Sequence, residues 1–146
     1  MNAAVRQNPV ARAFTLIELI AVIIVLAILS GIAIPKYIDY AAQAKSSSCK
    51  GTLGAVRSAI ANYYANSALS GTAAYPAIGV MQTFGSGGVM QEPIPANPYV
   101  SGATATTISA ATWNATPPVS GTNGWNYDAT AGKFWANSNT VGENAW

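Results

Sequence analysis

Glu18 is the residue of this chain whose position most needs a chemical explanation. It lies inside an apolar run, Phe14-Thr15-Leu16-Ile17-Glu18-Leu19-Ile20, that continues to Ile34. Residues 14–34 would measure about 31 Å as a helix, the thickness of one hydrocarbon core. A carboxylate within such a segment costs on the order of 3 kcal/mol or more unless it is paired. The run itself holds no cation. Hydrolysis of the peptide bond between Ala13 and Phe14 would create one, because Phe14 would then carry a free α-amine. The residues ahead of that bond have the composition of a leader: residues 1–13 contain Arg6 and Arg12, no acid, and the small Ala13 at their end. A conventional secretory signal is cut after its apolar core, which is discarded; a cut here would leave the core on the product. An uncut chain reads instead as a single-pass anchor with Arg6 and Arg12 on the cytoplasmic side. That alternative accounts for the arginines but not for Glu18.

The sequence Ala13-Phe14-Thr15-Leu16-Ile17-Glu18-Leu19-Ile20, with basic residues before it and the apolar run after it, resembles the cleavage and methylation motif of type IV pilins and type II secretion pseudopilins. The resemblance is close from Arg12 to Lys36 and extends to the remainder only in layout. It departs from the family at Ala13, where Gly is usual. The resemblance implies cleavage between Ala13 and Phe14 by a prepilin peptidase and N-methylation of Phe14, which leaves the amine cationic. It also implies filament assembly through Phe14 and Glu18, the carboxylate of one subunit meeting the amine of its neighbour.

Other chemistry is sparse. The chain has no histidine and one cysteine, Cys49, so the usual general base is missing and no intramolecular disulfide is available. We expect no enzyme and no catalytic residues. The acids beyond the apolar run, Asp39, Glu92, Asp128 and Glu143, are far apart in sequence. No metal site or cofactor is expected. The major pseudopilins bind calcium through several acids of a C-terminal loop, whereas the corresponding stretch here, residues 136–146, offers Glu143 with asparagine and backbone oxygens, short of the carboxylate-rich set calcium prefers. The formal charge of +2 becomes zero for side chains once Arg6 and Arg12 are removed. Such a surface excludes nucleic acid as the main partner.

These residues must be positioned by a long helix. Pro35 removes the donor for the carbonyl of Gly31, so Gly31 and Pro35 mark the most flexible turn. Beyond it, Ile38, Ala42, Lys45, Cys49, Leu53, Val56, Ile60 and Tyr63 recur every three or four residues and define one helical face. Lys45 conflicts with burial of that face, and Cys49 reads as a small core residue. The helix is expected to continue to about Asn66. Residues 71–98 read as a long loop, followed by strand-like pieces at 105–109, 111–115, 125–128 and 133–137. Trp125 and Tyr127 share a face of one strand, and Phe134 and Ala136 share a face of the next. The aromatic residues are expected to fill a thin core, with an adhesive surface for glycan or protein as the alternative.

The expected fold class is α+β and pilin-like: one long N-terminal α-helix packed on a small antiparallel β-sheet head. The expected divisions are a leader (1–13), a membrane-spanning or filament-core helix (14–35), an amphipathic half (36–66) and a head (67–146). The family resemblance implies a homo-oligomeric helical filament. Implied partners are the prepilin peptidase, an inner-membrane assembly platform and minor pilin-like subunits. Before assembly the subunit would sit in the inner membrane with its head in the periplasm. A secretion pseudopilin is favoured over a surface pilin serving adhesion, motility or DNA uptake. An uncleaved, anchored periplasmic binding protein is the alternative from another class.

Overall fold

A computed structural model describes residues 14–146; Ala13 and the expected leader lie outside the described residues. Helix α1 (Leu16–Leu69) is followed by a single turn, α2 (Ile78–Met81), and three short strands, β1 (Ile108–Ala110), β2 (Trp125–Asp128) and β3 (Lys133–Ala136). Two short 3-10 turns, Ala103–Thr106 and Glu143–Ala145, precede β1 and close the chain. The chain forms two compact units, one ending at Tyr40 and the other Ala41–Trp146.

In the first unit every residue from Phe14 to Tyr40 is exposed, including the apolar side chains. The helix runs without a break through Gly31 and Pro35. Among the described residues, α1 is the one helix long and apolar enough to cross a membrane.

The second unit has a conventional interior. Cys49, Leu53, Val56 and Ile60 are the buried residues of α1, and their spacing of four, three and four keeps them on one helical face. They meet Met81, Ile94, Ile108, Trp125, Tyr127, Phe134 and Ala136 in one apolar cluster. Ile38, Ala42 and Lys45, expected on the same buried face, are exposed. The head covers only the later turns, and Lys45 therefore needs no buried partner. The helix ends at Leu69, three residues past the expected boundary, where Ser67 Oγ accepts the Ala74 amide at 3.0 Å and donates to the Ala74 carbonyl at 2.9 Å.

The sheet differs from the antiparallel one expected. Its order is β1-β2-β3; β2 and β3 are antiparallel, but β1 runs parallel to β2. The reason is the connection: residues 111–124 cross back before β2 begins, and residues 111–115, expected as a strand, are irregular. The β2–β3 hairpin has Trp125 opposite Ala136 and Tyr127 opposite Phe134. Gly124 enters this hairpin where a Cβ would lie 1.8 Å from the Ala105 carbonyl oxygen, so only glycine permits that approach. The expected loop at 71–98 contributes to the interior: Met81 and Ile94 are fully enclosed.

Leu53→Ala is expected to lower the head's unfolding free energy by about 2–5 kcal/mol. Thermal melts of the detergent-solubilised chain measure this change.

Candidate functional site

At the start of α1, Thr15 and Glu18 satisfy one another. The Thr15 amide and hydroxyl donate to Glu18 Oε2 at 2.8 and 2.9 Å, and the Glu18 amide donates to Thr15 Oγ1 at 3.2 Å. This is a capping box, Thr-x-x-Glu, in which two orphan helix donors are satisfied reciprocally. It also places the carboxylate at the positive end of the helix dipole. Phe14 precedes the cap and is 86% exposed. The structure therefore brings Glu18 to Thr15 within the chain and leaves the Phe14 side chain unpacked. The sequence reading sought a cation for Glu18 and passed over Thr15, although the Thr-x-x-Glu spacing was there to signal it. Gly31 and Pro35 lie within the continuous helix, while Ala13 lies outside the described residues.

Two acids of the head, Asp128 and Glu143, are structural. Asp128 Oδ2 accepts the Trp113 amide at 2.7 Å, and Oδ1 accepts the Thr130 and Ala131 amides at 2.8 and 3.1 Å. The Trp113 bond and its two companions hold the Asp128 carboxyl below its ordinary range. Glu143 is fully enclosed, with Oε1 on the Thr140 amide at 2.9 Å and Oε2 on the Val141 amide at 2.8 Å. Burial pushes its carboxyl up, but those amides outweigh burial and leave it lowered. Both oxygens of the C-terminal loop's carboxylate thus accept main-chain N–H donors. Among the described residues, no group of three His, Cys, Asp or Glu is placed for a metal. Cys49 is enclosed, and burial pushes its thiol up to about 11.

The asparagines of the head form a buried network that sequence reading missed. Asn137 Nδ2 donates to Asn123 Oδ1 at 2.6 Å and to Ser120 Oγ at 2.8 Å, while its Oδ1 accepts Asn126 Nδ2 at 2.9 Å and the Ser120 amide at 2.7 Å. Asn97 Nδ2 joins the Gly124 carbonyl at 2.8 Å and Ser138 Oγ at 3.0 Å. Arg57 of α1 reaches across to donate to the main-chain oxygens of Phe134 at 3.0 Å and of Trp146.

An apolar helix opened by a Thr–Glu cap, together with a small α+β head, is a pilin-like α+β fold. Residues 9–34 match the prokaryotic N-terminal methylation motif. The chain is 42% identical over 59 residues to the type IV major pilin protein of Myxococcus xanthus, covering 40% of this chain and 27% of that protein. It is 47% identical over 51 residues to the type IV narrow pilus major component of Thermus thermophilus, covering 35% and 44%. It is 40% identical over 57 residues to a fimbrial protein of Eikenella corrodens, covering 39% and 37%. The matches thus span less than half the length of these curated relatives. No solved structure matches the chain. The similarity lies in the N-terminal motif and helix, where the chain resembles these type IV pilins.

The lowered Asp128 and Glu143 carboxyls give the head stability that is complete above the ordinary carboxylate range, about pH 4, and is lost as pH falls through their still lower folded values. Asp128→Asn is expected to lower the melting temperature at pH 7 and to flatten its fall between pH 5 and pH 2. Calorimetry across that range provides the measurement.

Proposed function

We propose that the chain is a structural, non-enzymatic subunit of a type IV filament system, cut between Ala13 and Phe14 by a prepilin peptidase, methylated on the Phe14 amine and assembled as a homo-oligomer. The single observation that carries this reading is the Glu18 carboxylate, held at the start of an exposed apolar helix within the matched motif. Thr15 satisfies the carboxylate by hydrogen bonding but supplies no positive charge. A neighbour's Phe14 amine would supply it. Burying cation and carboxylate together offsets the desolvation of each, while a shifted register strands both. Electrostatics would set the register, and packing of residues 16–34 between copies would provide most of the adhesion. Before assembly the same segment would sit in the inner membrane, with the head on the periplasmic side. There it would meet the assembly platform and minor pilin-like subunits.

Within that system we favour a secretion pseudopilin. Supporting this are the short head without a disulfide and the joining of the Pro95 and Gly124 segments through Asn97, Gly124 and Trp125. The second reading, a surface pilin, is favoured by the names of the three relatives. Their similarity covers at most 59 residues, however, and the helix is shared by both kinds of subunit. Deletion of the gene separates them: lost protein secretion with surface pili retained supports the pseudopilin, and the reverse supports the pilin.

Glu18→Ala is expected to leave the mature N-terminus at Phe14 by mass spectrometry and to abolish filaments by electron microscopy. Normal filaments from this variant, or a native chain still beginning at Met1, would overturn the proposal. Because Glu143 already has its donors, the subunit is expected to work without calcium or another cofactor. A chelator should leave the head's melting temperature unchanged, and a rise on adding calcium would contradict this.

A further inference from the structure

Three of the five cations among the described residues, Lys50, Arg57 and Lys133, gather around two tryptophans of the head. Lys50 Nζ lies 4.5 Å from the Trp146 ring centre, and Lys133 Nζ lies 5.8 Å from that of Trp113. Between them opens a cavity of about 400 Å³ lined by Arg57, Trp113, Gly132, Lys133, Phe134 and Trp146. Arg57 spends two of its donors on the main-chain oxygens of Phe134 and Trp146, so the exposed cation of the cavity is Lys133. The nearby acids are committed elsewhere: Asp128 to the amides of Trp113, Thr130 and Ala131, and Glu143 to those of Thr140 and Val141. Cations framed by indole faces suit a carboxylate that arrives beside an apolar or proline side chain.

The chain carries such a group. Outside the apolar run, the exposed acids among the described residues are Asp39 and Glu92. Glu92 sits in Gln91-Glu92-Pro93, an exposed tripeptide without regular structure. Its position is at the opposite edge of the sheet from the cavity. Lys133 and Phe134 belong to β3, one edge strand, whereas Gln82 donates to the Ile108 carbonyl of β1, the other edge, at 2.8 Å. Phe84, two residues after Gln82, bridges to Met90, two residues before Glu92. An acid whose chain neighbours lie by one edge and a cationic pocket at the other are complementary between copies. Contact between two different patches is head-to-tail, and where its rotation does not close into a ring it propagates as a filament does.

We propose that the Arg57–Lys133–tryptophan pocket receives the Glu92 loop of a second copy of this chain. The inference rests on the filament reading above for the setting in which copies meet. The carboxylate meets Lys133 at the mouth of the cavity, and Pro93 lies against an indole face. A charge exchange tests the pairing, since Glu92 and Lys133 are both exposed and their replacement leaves the interior intact. In the full chain, expressed with its assembly machinery, Glu92→Lys and Lys133→Glu are each expected to reduce filament yield about tenfold through like-charge contact. The double exchange is expected to restore it. Wild-type yield from either single variant, or a double variant as defective as the singles, overturns the pairing while leaving the filament reading in place. A parent chain that is processed but builds no filament overturns both.

Discussion

Everything in the head is organised around one short strip of helix. Cys49, Leu53, Val56 and Ile60 present a single apolar face, and the hairpin, α2 and Ile94 are packed against it. A unit of this size buries too little apolar surface to tolerate gaps, and with one cysteine it has no covalent bridge to close it. What replaces the bridge is polar. Asn123, Asn126 and Asn137 bind one another, Asn97 binds Gly124 and Ser138 at the two ends of the hairpin, and among the described residues no buried side-chain donor or acceptor is left without a partner. Such a network specifies one arrangement because any displacement leaves several amides unsatisfied together.

Three carboxylates share one solution. Glu18 takes the amide and hydroxyl of Thr15, Asp128 takes three amides around its turn, and Glu143 takes two. Each acid shapes the backbone beside it by accepting donors that strand or helix pairing leaves over. The arrangement explains how a chain with so few charges uses them: these three acids and Arg57 order the main chain, and the lysines are left to the surface and the tryptophan rings.

The sequence was most legible where periodicity or turn chemistry was strict. The buried face of α1 after residue 48, the β2 and β3 segments and the shared faces of their aromatic residues all follow from spacing. The direction of β1 was not legible, because parallel pairing depends on how the irregular connection at 111–124 returns, and no local pattern encodes that path. The interior role of Met81 and Ile94 was hidden by glycines and prolines that read as loop. The asparagine network was hidden more deeply, since asparagine in sequence signals a solvated turn and only tertiary placement makes it core. At the candidate site, the unusual carboxylate was evident from composition alone, while its immediate partner required attention to a four-residue capping pattern.

The enclosure of Cys49 has a practical consequence. Its thiol is the only one in the chain, inaccessible and protonated at neutral pH. Maleimide dyes, spin labels and heavy-atom reagents should therefore pass it by in the folded protein. Any cysteine placed on the surface becomes a unique attachment point without first removing the native residue, so this head is ready for spectroscopic distance measurements as it stands.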